Sequence, residues 1–329
     1  LNFSSIIKKV LQEFQLAEAV TNRPSLFYKL MVIARSAVLA RKDFYLFEPY
    51  IIAQYQQVAQ QTGFADRHLF YQLDLLYMIA HVLYRTRKFG LSLQYLEQMH
   101  EALQRDQKTL FLQFYPRYIF LKAANLAFLH RLEEATQLME NLIKKYGTSL
   151  NYRDQLTAKL GLSFFFFAQD NFIKANLVLM RLPHTDKFCE NKMGKEWVLK
   201  KNLGELIIQI EMENPELAQN KVRHIERVFK ELLSKKEYKN VRGYLQIIKL
   251  LLAQPDLIKQ PDFLKLVEKK LTFLPLEQED IQAISFYAWL KAKMERRRYY
   301  HVLLELSGST VPATSTQHEL LLQHDMAVV

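Results

Sequence analysis

A short polar turn recurs along the chain at a nearly constant interval. It reads Ala40-Arg41-Lys42-Asp43-Phe44, Arg85-Thr86-Arg87-Lys88-Phe89 and Leu129-His130-Arg131-Leu132. It returns as Ala168-Gln169-Asp170-Asn171-Phe172 and Glu213-Asn214-Pro215-Glu216-Leu217. The apolar residues that close these turns stand at 44, 89, 132, 172 and 217, so the spacings are 45, 43, 40 and 45. A later case is Glu295-Arg296-Arg297-Arg298-Tyr299, with a weaker one at Ala253-Gln254-Pro255-Asp256-Leu257. Such regularity points to stacked units, each packed on its neighbours. A period of about 43 residues holds two helices of about 18 residues each, roughly 27 Å long, and two short connections. The polar residues stop one helix, and the aromatic or Leu that follows packs back between the pair.

Composition supports helices. The 329 residues include only eight Gly and nine Pro, well under the usual share of roughly 7% and 5%. That scarcity argues against a β-sandwich or barrel, whose many turns need both. With half its residues hydrophobic, the chain is neither collagen-like nor a disordered polyampholyte. Cys189 is the one cysteine, so no internal disulfide forms; it is expected to be structural or incidental. No apolar run approaches the length of a membrane span. The start shows no basic, then apolar, leader pattern. A cytoplasmic protein is expected. The first residue is Leu1 rather than Met, as in a fragment or a processed chain.

The helical faces agree with the period. Leu76, Ile79, Ala80 and Leu83 share one face, and Ser92, Leu96 and Met99 face back after the turn. The next unit repeats this with Ile119, Ala123 and Leu126, then Leu132, Ala135, Met139 and Leu142. A third has Leu162, Ser163 and Phe166, then Phe172, Ala175, Leu179 and Leu182. Small residues at 80, 92, 123, 135, 163 and 175 let paired helices approach closely. Over residues 73–187 this resembles the tetratricopeptide repeat (TPR). The family's tryptophan and closing proline are missing, and the period exceeds its 34 residues. The expected fold is all-α: antiparallel helix pairs stacked as a TPR-like α-solenoid of fourteen to sixteen helices. The resemblance implies a right-handed superhelix. An armadillo/HEAT-like array is the architectural alternative.

The ends read differently. Residues 1–20 form an amphipathic helix with Phe3, Ile7, Val10, Phe14 and Ala17 on one stripe, ended before Pro24. Repeats are expected over 25–182, a connection over 183–194 and more degenerate repeats over 195–306. Residues 307–329 read as a flexible tail with an apolar island at Leu320-Leu321-Leu322. Asn151 is placed as a helix N-cap, with Asp154 at the positive helix end.

No metal-binding, phosphate-binding or nucleophile-elbow motif is present. No catalytic residue, cofactor or metal ligand is expected. Tyr77, His81, Tyr84 and Arg85 fall on one side of a helix. If the TPR resemblance holds, that side faces the concave groove with Asp74 and Arg117, where the family commonly holds a partner peptide. The competing reading packs the tyrosines on a neighbouring helix and uses Arg85 to cap the dipole. Phe164-Phe165-Phe166-Phe167 covers more than one helix face, as core or as an apolar pocket.

A net charge of +11 is spread evenly. Arg296, Arg297 and Arg298 beside Tyr299-Tyr300 interleave basic and aromatic groups in a way that suits single-stranded nucleic acid. A solvated charge run at a repeat turn is the plainer reading. The expected function is a non-enzymatic protein–protein interaction scaffold that binds a peptide or helix on its concave face. The alternatives are a nucleic-acid-associated solenoid and the sensor half of a larger regulator.

Overall fold

The computed structural model describes residues 23–41, 44–106, 109–182, 185–272 and 281–309, with Lys9, Gln12 and Glu13. The amphipathic stripe at 3–17, Lys42 and Asp43 of the first turn, and residues 310–329 with their leucine island lie outside that set. Among the described residues there is no strand. Among the described residues sixteen α-helices follow one another: α1 Pro24–Arg41, α2 Phe44–Gln61, α3 Leu69–Arg85, α4 Phe89–Leu103, α5 Phe111–Phe128, α6 Leu132–Tyr146, α7 Tyr152–Ala168 and α8 Phe172–Met180. Then come α9 Asp186–Met193, α10 Lys195–Glu211, α11 Pro215–Val228, α12 Lys230–Ser234, α13 Lys239–Ala253, α14 Phe263–Lys270, α15 Ile281–Glu295 and α16 Tyr299–Leu306.

The recurring turn is a left-handed helix cap. Arg87, His130, Asp170, Glu213 and Arg296 all have positive φ, between 54° and 64°. In each, the next amide reaches back five residues. Lys88 N donates to Leu83 O (2.8 Å), Arg131 N to Leu126 O (2.9 Å) and Asn171 N to Phe166 O (2.9 Å). Asn214 N donates to Gln209 O and Arg297 N to Ala292 O, both at 3.0 Å. This is a Schellman cap, a site that usually takes glycine. A side chain there costs about 1–2 kcal/mol of backbone strain, so few glycines did not mean few turns. The left-handed residue sets the register, with steps of 43, 40 and 43 between 87, 130, 170 and 213. It corrects the closing residue of the fifth turn. The equivalent of Phe172 is Pro215, at the first helical position where a missing N–H costs nothing, whereas Leu217 is mostly exposed. The weaker turn at 253–257 has no left-handed residue; Gln254 has φ −141° and ψ 82°, and a 3-10 turn follows.

The pairs α3/α4, α5/α6, α7/α8, α10/α11 and α15/α16 pack antiparallel over their lengths. Small residues meet at their crossings. Ser92 Oγ donates to Ala80 O (2.7 Å), and Ser163 Oγ donates to Ala175 O (2.9 Å). Asn125, fully buried, donates to Ser92 Oγ at 3.0 Å and ties one pair to the next. The first helix of each pair also packs on the first helix of the next: α1 on α3, α3 on α5, α5 on α7, α7 on α10. Second helices meet less closely, so the array curves and its inner face belongs to these first helices.

Two regions depart from a plain array. The connection at 183–194 contains α9, capped by Thr185 and pinned by a network of charges. Lys201, 6% exposed, holds Asp186 at 3.0 Å and Glu205 at 2.7 Å, and Glu205 also meets Lys221 at 2.6 Å. Cys189 is fully buried in α9, and burial pushes its thiol pKa up, away from the thiolate a nucleophile needs. At the other end, α15 and α16 fold back onto the earlier units. Arg298 pairs with Asp170 at 2.8 Å, and the Tyr300 hydroxyl donates to Ala127 O. Trp289 Nε1 donates to Glu211 at 2.5 Å, and Lys293 meets the same carboxylate at 2.7 Å. The cap of α16 runs through Ser309, whose amide donates to Leu304 O around Gly308.

Candidate functional site

The inner face has two parts with different chemistry. The first lies on α1, α3, α5 and the start of α7. Asp74 on α3 is buried, accepts the Tyr28 hydroxyl at 3.1 Å and lies 3.5 Å from Arg117 on α5. The guanidinium of Arg117 also sits over the Tyr77 ring, 5.9 Å from its centroid, and Arg35 on α1 lies 5.8 Å from the same ring. Both charges act to lower the Tyr77 hydroxyl pKa, but burial outweighs them and raises it. Asp154 on α7 follows. Its pKa is raised by burial, against its bond to Asn151 and the charge of Arg117. Asn151 caps α7, accepting the Asp154 amide at 3.0 Å.

Three of the six expected groove residues therefore come together: Asp74, Tyr77 and Arg117. His81 lies between Tyr77 and Phe44, 6.1 and 6.4 Å from their rings. Arg85 stacks over Phe44 at 4.6 Å. Tyr84 turns the other way, toward Phe89 and Phe128, and joins the second part of the face. Tyr28, Arg35 and Asp154 complete the strip. The sequence carried no sign of Tyr28 and Arg35, because α1 precedes the first complete turn. Asp154 was visible only as a first-turn acid.

The second part is a chamber of about 630 Å³. Its floor is α5, α7 and α10, with Phe120, Leu160, Phe164, Phe167, Trp197 and Ile208; its roof is α15 and α16, with Phe286, Trp289 and Tyr299. The phenylalanine run is thus divided. Phe165, Phe166 and Phe167 are buried in the core, while half-buried Phe164 faces the chamber with Phe165 and Phe167. Tyr299 meets the run edge-on, 5.0 Å from Phe167.

The basic cluster is engaged with acids. Arg297 pairs with Glu305 at 2.7 Å and Glu295 at 3.0 Å, Arg298 pairs with Asp170, and Arg296 occupies the left-handed turn position. Among the described residues no group of His, Cys, Asp and Glu is placed to hold a metal ion. Among them, too, no helix is long and apolar enough to cross a membrane.

No protein-family model matches the chain, and no curated protein does. Among solved structures, one titled the crystal structure of the apo form of RapI is similar, with a TM-score of 0.59 at 10% sequence identity. The match covers 86% of this chain and 96% of that one. At that identity the likeness concerns the fold, an α-helical repeat array.

Proposed function

We propose that the protein is a non-enzymatic interaction scaffold that holds a peptide or helix of a partner on the strip formed by α1, α3, α5 and α7. The observation that carries this reading is the sequence of charges on successive inner helices: Arg35, Asp74, Arg117 and Asp154, with Tyr77 between the two arginines. Arg117 is 38% exposed and only loosely paired at 3.5 Å, so a partner carboxylate can share it. Tyr77 offers a flat ring with a hydroxyl at its edge, a combination enriched in recognition surfaces. A rigid helical array presents these groups preformed, which limits the ordering cost of binding.

The test is a pull-down with the tagged chain, with and without nuclease, followed by affinity measurement on the partner recovered. A protein partner that survives nuclease, and whose affinity falls about tenfold or more with Tyr77→Ala or Arg117→Ala, supports the scaffold. Partners that vanish with nuclease, and that Arg297→Ala weakens while Tyr77→Ala does not, overturn it in favour of nucleic acid.

A further inference from the structure

The chamber between α5, α7, α10 and the α15/α16 pair has no role in the strip just described. We propose that it is a binding site for a small uncharged apolar molecule, aliphatic or aromatic. Protein interiors hold few voids larger than a water molecule, and about 630 Å³ falls within the roughly 300–1,000 Å³ of small-molecule sites.

The space is created by the sequence. Counting back nine residues from the left-handed turns at 87, 130, 170 and 213 aligns Met78, Leu121, Gly161 and Gly204. On α3 and α5 this position is a buried large side chain; on α7 and α10, which form most of the chamber floor, it is glycine. Glycine within a helix costs roughly 1 kcal/mol relative to alanine. Close helix contact does not require it at Gly204, where an added Cβ would meet nothing within 4 Å. At Gly161 it would meet only the flexible end of Met139, at 2.9 Å.

The wall also selects by polarity. Its serine and threonine hydroxyls already donate to backbone: Thr157 to Arg153 O at 2.9 Å, Ser163 to Ala175 O at 2.9 Å and Ser285 to Ile281 O at 3.1 Å. Trp289 gives its N–H to Glu211. The charged wall residues, Glu196 and Lys200, are exposed and mark the mouth. A sugar, a nucleotide or an extended peptide would bring many polar groups into a wall that is mostly apolar and has committed its Ser, Thr and Trp donors, at a cost of a few kcal/mol for each group left unpaired. An uncharged hydrocarbon or aromatic molecule brings none.

The experiment is a fluorescence titration of the full chain with N-phenyl-1-naphthylamine, an uncharged apolar probe. Saturable one-site binding is expected. Gly204→Leu, which projects into the open space, should weaken it about tenfold or more with unchanged far-UV circular dichroism. Gly204→Ala, a better helix former that also intrudes, is the milder second variant and should weaken it in the same direction. Tyr77→Ala should leave the probe unaffected, so failure here and failure of the strip are separable. Dodecanol should displace the probe and dodecanoate should do so much less well. Non-saturable binding, equal binding by wild type and both Gly204 variants, or stronger displacement by dodecanoate would overturn the proposal. So would a chamber that takes a peptide, seen as loss of the protein partner with Gly204→Leu.

Discussion

The left-handed turns make a quantitative prediction at Glu213. Its φ is 58° and its side chain is exposed, so the backbone strain can be relieved without losing a buried contact. An L-residue in this region costs about 1–2 kcal/mol. Glycine removes that cost but adds about 0.4–1 kcal/mol of unfolded-chain entropy. Glu213→Gly should therefore stabilise the α10/α11 pair by about 0.7 kcal/mol. At roughly 2.1 cal/mol/K per residue for a 329-residue chain, a global melt would move by only about 1 °C. Native-state hydrogen exchange is the sharper assay, because an array opens locally. The amides of α10 and α11 should be protected about threefold more strongly, while those of α3 and α4 stay unchanged. Glu213→Ala, which keeps a Cβ in the same conformation, should show no gain. If glycine and alanine give equal protection, the reasoning about turn strain fails. Asp170→Gly is an internal comparison. It gains the same relief but loses the exposed Arg298 pair, worth about 0–1 kcal/mol, so its net gain should be smaller. In an Arg298→Ala background that deficit should disappear.

Gly243→Ala would place a Cβ 2.4 Å from Lys270 O, a backbone atom of α14, and should destabilise by about 1–3 kcal/mol in urea unfolding. Asp186 has its pKa lowered: burial acts to raise it, but the bonds from Asn202 and Lys201 and the neighbouring lysine charges outweigh that. Its stabilisation is therefore present above the unfolded value of 3.8 and lost as pH falls through the lower folded value. Asp186→Asn should flatten the acid limb of a stability–pH curve. Burial raises the Tyr50 pKa from 10.0 to about 12 and raises that of Tyr244 well above 10.0. The protein should lose stability as pH rises from 10.0 through 12, with a fraction of the tyrosinate absorbance appearing only on unfolding. Glu211→Ala removes the acceptor of Trp289 and the partner of Lys293, and should cost about 1–3 kcal/mol. Glu211→Gln keeps an acceptor for Trp289 and should cost less, as thermal unfolding would read.

The helix pairs were legible because each obeys a local rule. Ala80, Ala123 and Ser163 recur on an apolar face of period 3.6, and the structure places all three at helix crossings, almost fully buried. The turns were legible as polar runs before an aromatic residue, although their geometry was hidden. Arg87, Glu213 and Arg296 are residue types that propensity alone would not place at positive φ, and only His130 and Asp170 belong to types enriched there. This is also why the fifth unit was aligned two residues late. Helix α9 escaped notice because eight residues are too few to establish a period. Tyr28 and Arg35 were missed because a strip across several helices needs the stacking order, which neighbouring residues in sequence do not encode.

The return of the C-terminal pair had no local signature at all. Arg298 and Asp170 are 128 residues apart, and Tyr300 and Ala127 are 173 apart. In an open solenoid each unit answers only to its neighbours, and the ends are the weakest points. Here α15 and α16 bind across three helix pairs, so fraying at that end must break contacts to α5, α7 and α10 together. The same closure gives the chamber its roof. The inner face of α7 and α10 would otherwise be an open apolar groove, and exposed apolar surface of that kind invites association. Roofed in part by Trp289 and Tyr299, it becomes a recessed chamber whose size is set by what Gly161 and Gly204 omit. The polar strip on α1, α3 and α5 has no such roof among the described helices. One repeat pattern thus yields an open polar face and a partly roofed apolar one, and the difference between them rests on the fold-back of the last helix pair.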